Sequence, residues 1–80
     1  MKIQVKLFAS LRKYLPAGTA GDTITIEVAT GATVRDAISA LGIPAEHARM
    51  IVSANEQLEP TATLREGQRL DVFPPLAGGA

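Results

Sequence analysis

Apolar and polar positions alternate cleanly at both ends of the chain. Across residues 2–8, Ile3, Val5 and Leu7 fall on one face and Lys2, Gln4 and Lys6 on the other, which predicts a strand with one wet and one dry side. Thr23 to Val28 repeats the pattern with Ile24, Ile26 and Val28 inward. Arg69 to Phe73 does so again, with Leu70 and Val72 inward and Asp71 and Phe73 outward. Between these strands the period changes. Val34, Ala37, Ile38 and Leu41 stand at i, i+3, i+4 and i+7, the stripe of a helix lying on a sheet. Thr33 is placed to cap that helix and Asp36 to complete a capping box, while Gly42 stops it with Pro44 beyond.

The remaining segments connect these elements. Ser10 is expected to cap a short turn carrying Leu11, Tyr14 and Leu15, ended by Pro16 and Gly18. Ala45 to Ala48 makes one further turn. Met50, Ile51 and Val52 read as a strand that turns at Asn55-Glu56 and returns briefly through Gln57 and Leu58. Glu59 to Gly67 is a loop from which Leu64 plugs the core, and Arg65-Glu66-Gly67 turns the chain into the last strand. Consecutive amphipathic strands usually pair antiparallel, and a helical crossover followed by a strand returning beside the first is the β-grasp arrangement. The expected fold is α+β: a mixed sheet of four to five strands, one main helix across its dry face, a domain over 1–73 and an extended, flexible tail over 74–80.

Composition narrows the chemistry. Eighty residues make one small domain with little room for a cleft. The apolar share is 46%, and with two Phe, one Tyr and no Trp the core must be aliphatic. Eight basic side chains balance eight acidic ones, so no basic face is available to displace counterions from nucleic acid. Residues 1–40 carry five bases against three acids and residues 41–80 three against five, an asymmetry too small to name a partner. The alternating N-terminus is neither signal peptide nor membrane span, which makes a cytoplasmic protein the default.

Cysteine is absent, so disulfides, thiolate metal sites and a thiol nucleophile are excluded together. His47 is the only histidine and has no companions at metal spacing, which favours a solvated surface residue. The same scarcity leaves Ser10, Ser39 and Ser53 without a base for a triad, and no glycine pattern forms a phosphate cradle. The sequence contains no recognisable catalytic set, and no bound cofactor or metal is expected.

The C-terminal stretch Phe73-Pro74-Pro75-Leu76-Ala77-Gly78-Gly79-Ala80 is of another kind. Two prolines fix φ and remove backbone donors, so the chain must leave the sheet extended, and Gly78 and Gly79 make the end thin. Such a segment is either a frayed terminus or a carboxylate presented for chemistry in a narrow tunnel. Beside it, Phe73, Leu58 and Phe8 are expected on the solvent side of the sheet. There they form a partner patch, or are the scattered exposed apolar residues that soluble proteins commonly carry.

The chain resembles MoaD/ThiS-type sulfur carriers of the ubiquitin-like β-grasp superfamily, and its tail is more similar to the small subunit of molybdopterin synthase than to the thiamine carrier. The residues that carry the resemblance are Phe8-Ala9-Ser10-Leu11-Arg12, Thr33-Val34-Arg35-Asp36, Leu64-Arg65-Glu66-Gly67 and Phe73 to Gly79. The resemblance implies a carrier rather than an enzyme. An adenylyltransferase related to ubiquitin-activating enzymes would use ATP to adenylate the terminal glycine carboxylate, and a sulfur donor would convert it to a thiocarboxylate. Gly79, behind Gly78, would bear the sulfur. The large subunit of molybdopterin synthase would receive the tail, with Phe8, Leu58, Phe73, Pro74, Pro75, Leu76 and Ala77 against the partners. Ala80 departs from the family pattern: a peptidase trims it to expose Gly79, Ala80 is itself activated, or Ala80 is foreign to the natural chain. Carriers for thiamine or cysteine synthesis, a ubiquitin-like protein modifier and a β-grasp binding module with an inert tail are the alternative readings. None of them calls for nucleic acid or membrane.

Overall fold

The computed structural model describes residues 1–75. Five strands form one sheet in the order β2-β1-β5-β3-β4: β1 is Lys2–Leu7, β2 Thr23–Glu27, β3 Met50–Ser53, β4 Glu56–Leu58 and β5 Arg69–Phe73. Helix α1, Val34–Ala40, follows β2, and 3-10 helices occupy Ala9–Tyr14 and Ala45–His47. β1 pairs antiparallel with β2 and parallel with β5, and β3 lies antiparallel between β5 and β4. This is the expected mixed sheet with the last strand returned beside the first.

The register explains the alternation. Ile3 lies opposite Ile26, Val5 opposite both Ile24 and Leu70, and Leu7 opposite Val72, and directly opposed residues share a face. Ile3, Val5, Leu7, Leu70 and Val72 are fully buried, and Val34, Ala37, Ile38 and Leu11 close over them. No disulfide supports this small core, so aliphatic packing and backbone pairing hold it together.

Helix α1 begins as the sequence predicts. Thr33 Oγ1 accepts from the Asp36 N–H, and the Asp36 carboxylate accepts from the Thr33 N–H at 2.9 Å. The other two N–H groups of the first turn have no partner within the helix, and the loop after β4 supplies them: Val34 donates to the Ala62 carbonyl and Arg35 to the Pro60 carbonyl, both at 2.9 Å. The Leu64 N–H donates back to the Ala32 carbonyl at 2.8 Å, and its side chain is buried. The loop is therefore a fixed part of the fold. Gly42, at φ +77, ends the helix in a left-handed conformation that a Cβ would strain.

Three local expectations are corrected. Ser10 lies inside the first 3-10 helix rather than at its cap; Phe8 is the capping residue, with no side-chain cap bond, and Ala9 turns the chain at φ +51. The hairpin between β3 and β4 turns at Ala54-Asn55 instead of Asn55-Glu56, with φ +52 and +66, both left-handed as in a type I′ turn. His47 is half-buried, its Nδ1 lying 3.2 Å from the Tyr14 hydroxyl, so it ties the two 3-10 helices together. Among the described residues no helix is long and apolar enough to cross a membrane.

Replacing Leu64 by Ala is expected to cost about 2–5 kcal/mol through lost burial and the cavity left behind. Thr33→Ala should cost about 1 kcal/mol through the lost cap. Urea unfolding of the two variants checks the order; a smaller loss for Leu64→Ala would mean that the loop does not hold the core.

Candidate functional site

The site grows from the point where β1 and β5 end together. The parallel ladder carries Leu7 opposite Val72, and the Phe8 N–H then donates to the Val72 carbonyl at 3.2 Å, so the backbone stays attached one residue past the strand. Phe8 and Phe73 thus emerge side by side on the face away from α1. Their rings stack with centroids 4.3 Å apart and planes 16° from parallel. The left-handed turn at Ala9 sends the chain away immediately after Phe8, leaving its ring on the sheet.

Two residues overlooked in the sequence complete this surface. Met50 lies directly opposite Phe73 across the β3–β5 ladder and is the one exposed large hydrophobic residue among those described, at 38%. Lys6 places its ammonium 5.0 Å from the centroid of the Phe8 ring, a cation–π contact at the edge of the patch. The Arg49 N–H donates to the Phe73 carbonyl at 2.9 Å, which holds β3 against the last residue of β5. The Met50–Phe73 pairing is not visible in the chain, because it depends on the register of strands distant in sequence, whereas Lys6 and Phe8 stand two positions apart on one face of the same segment.

Leu58 is not part of the patch. The two-residue turn sets Ser53 opposite Glu56 and therefore Ile51 opposite Leu58, and Ile51 is itself opposite the buried Val72. Leu58 consequently lies on the helix side and packs against the core. The expected triad is a pair of phenylalanines joined by a methionine.

Pro74 is half-buried and Pro75 exposed, directly beyond this patch. Leu76, Ala77, Gly78, Gly79 and Ala80, expected as partner-binding, sulfur-carrying and trimmed residues, lie outside the described residues.

On the helix side, an apolar recess of about 480 Å³ is lined by Ile38, Ile43, Ala45, Ala48, Ile51 and Pro60, with Arg35 its single charged neighbour. A polar recess beside the last turn contains Gln68, whose side chain accepts from the Arg65 N–H at 2.8 Å and donates to Ser53 Oγ at 3.1 Å. These bonds fix the turn that launches β5. On the open face Arg69 pairs with Asp71 at 3.1 Å. Among the described residues no three His, Asp or Glu side chains converge as a metal site would require.

A five-stranded mixed sheet with one helix over it and an aromatic platform beside its departing C-terminal segment defines a ubiquitin-like β-grasp domain. The comparisons with known proteins make the assignment narrower. A family model described as Mut7-C ubiquitin matches residues 1–78, and the chain belongs to that family. Among solved structures it is similar to SAMP1 of Haloferax volcanii, with 29% identity, TM-score 0.72, and coverage of 99% of this chain and 100% of that one. A Pyrococcus furiosus protein named as a candidate molybdopterin converting factor, subunit 1, is 28% identical with TM-score 0.71, covering 94% and 98%. The HVO 2177 protein of Haloferax volcanii is 26% identical with TM-score 0.74, covering 99% and 87%. A search of the curated proteins finds no significant match. By name, these relatives thus include a small archaeal modifier protein and a candidate subunit of a molybdopterin converting factor.

A double-mutant cycle on Phe8→Ala and Phe73→Ala should return a coupling of about 0.5–1.5 kcal/mol, the usual range for stacked aromatic pairs. The same cycle on Leu58→Ala and Phe73→Ala should be additive within about 0.5 kcal/mol, because the two residues sit on opposite faces. Urea titrations of the single and double variants measure both, and a large Leu58–Phe73 coupling would contradict the assigned register.

Proposed function

We propose that the protein is a sulfur carrier: its terminal glycine carboxylate is adenylated and converted to a thiocarboxylate, which donates sulfur in molybdopterin synthesis. The observation that carries this reading is the Phe8–Phe73 stack, bordered by Met50 and Lys6, at the position where β5 gives way to Pro74-Pro75 and the diglycine sequence. A partner docked on the platform is positioned to receive whatever follows Pro75. In this reading the adenylating enzyme and the large synthase subunit use the platform in turn, and the chain is their substrate.

The chemistry suits a protein without thiols. A carboxylate resists acyl substitution because its oxygen is a poor leaving group. Attack of that oxygen on the α-phosphorus of ATP releases pyrophosphate and leaves an acyl-adenylate; a sulfur donor then displaces AMP. The thiocarboxylate so formed is a nucleophile near neutral pH, although the chain has no cysteine. Removal of Ala80 exposes Gly79 as the reacting residue, and the absence of a Cβ at Gly78 and Gly79 suits a narrow active-site channel. Similarity to the Pyrococcus furiosus converting-factor subunit supports a pterin precursor as sulfur acceptor.

A second reading has a specific observation behind it. The similarity to SAMP1, named small archaeal modifier protein 1, favours transfer of the same activated glycine to lysine amines of other proteins. The two readings share activation and differ in what attacks the activated carboxyl group.

Intact mass of the protein, measured before and after incubation with an adenylating enzyme, ATP and a sulfur source, tests the proposal. A chain ending at Gly79 with one oxygen exchanged for sulfur is expected, and Gly79→Val should block the exchange. An unchanged mass with an enzyme shown to be competent overturns the carrier reading, and isopeptide-linked conjugates in cells would select the modifier.

A further inference from the structure

The sheet has two edges, and they are treated differently. β4 is three residues long, bears Glu56 and is followed by Glu59 and Pro60, so brevity, charge and proline all discourage another strand from joining it. β2 runs for five residues, Thr23-Ile24-Thr25-Ile26-Glu27, with no proline, no lysine and no inward charge. Among the described residues β1 is the one element packed closely along it.

Backbone pairing fixes which groups β2 leaves free. Met1 and Val28 exchange both backbone bonds at one end of the β1–β2 ladder, and the Leu7 N–H donates to the Asp22 carbonyl at the other. Antiparallel pairing alternates, so Ile24 and Ile26 also direct their backbone groups to β1. The N–H and C=O groups of Thr23, Thr25 and Glu27 point outward along the open edge. The dry face reaches this edge incompletely covered: Ile3 and Val5 are fully buried, while their partners Ile26 and Ile24 are only half-buried.

We propose that β2 is a self-association edge, pairing antiparallel with β2 of a second copy about a two-fold axis through Thr25. The sequence is complementary to itself in that register. Thr25 meets Thr25 of the second copy and Thr23 meets Glu27, each pair exchanging both backbone bonds with the groups left outward. Ile24 then falls opposite Ile26 of the second copy on the dry side, which covers the half-buried pair in both molecules. No like charges meet. The axis is perpendicular to the sheet, so the two Phe8–Phe73 platforms lie on one side of a continuous ten-strand sheet, one in each half and on strands other than the joined pair, and both stay accessible. An edge contact of this length is small, and the dimer is therefore weak and concentration-dependent.

Sedimentation equilibrium of the full chain from micromolar to millimolar concentration tests this, using wild type, Thr25→Lys and Thr25→Glu. Thr25 is exposed, and circular dichroism of each variant verifies that the fold is kept. Wild type should approach twice the monomer mass at the upper end. Each variant alone should remain monomeric, because the axis sets identical charges directly opposite one another. An equimolar mixture should recover the dimer, since Lys then faces Glu. A wild type that stays monomeric throughout overturns the proposal, as does dimerisation that persists unchanged in both single variants.

Discussion

The parallel ladder between β1 and β5, from Gln4 opposite Arg69 to Leu7 opposite Val72, joins the first strand of the chain to the last. It sits at the centre of the sheet, and Val5, Leu7, Leu70 and Val72 along it are fully buried. Closing it brings together residues more than sixty positions apart, so the entropy of ordering the intervening chain is spent before the central contacts form. Most of the other elements act as its supports. The capping box starts α1 over the ladder, the loop through Pro60, Ala62 and Leu64 seals the helix start, and Gln68 fixes the turn into β5.

The same ladder positions the aromatic platform. Because parallel neighbours share a face, whatever follows Leu7 and Val72 emerges on the opposite face in both strands, and the two residues concerned are phenylalanines. A stacked pair on the open face is therefore a direct product of strand register. Met50 joins it because β3 is held opposite the end of β5 by the Arg49–Phe73 backbone bond. The C-terminal segment begins beside this platform, so the proposed docking and delivery both depend on one feature of the fold.

Features set by neighbouring residues were legible in the sequence. Thr33 and Asp36 cap the helix they precede, Ile3, Val5 and Leu7 alternate within one strand, and Leu64 is the one large apolar residue in a polar loop. Phe73 was also placed on the correct face, because β5 is long enough to show its own alternation. β4 is not. With three residues it takes its face from its partner, and that depended on a type I′ turn whose first left-handed residue is Ala54, where Gly, Asn or Asp is usual. Leu58 was misplaced for that reason. The Tyr14–His47 contact and the Met50–Phe73 pairing are tertiary juxtapositions across 33 and 23 residues, with no local signal in either segment.

The central claim is that partners dock on the open face at Phe8, Met50 and Phe73 and take up the residues beyond Pro75. The most direct measurement is backbone amide hydrogen exchange of the protein, alone and with an adenylating enzyme and ATP. The account predicts added protection at Phe8, at Met50 and its neighbours and at Phe73, with exchange around Ile38, Ile43 and Pro60 unaltered. Protection concentrated at the helix-side recess, with the aromatic platform unchanged, would contradict it.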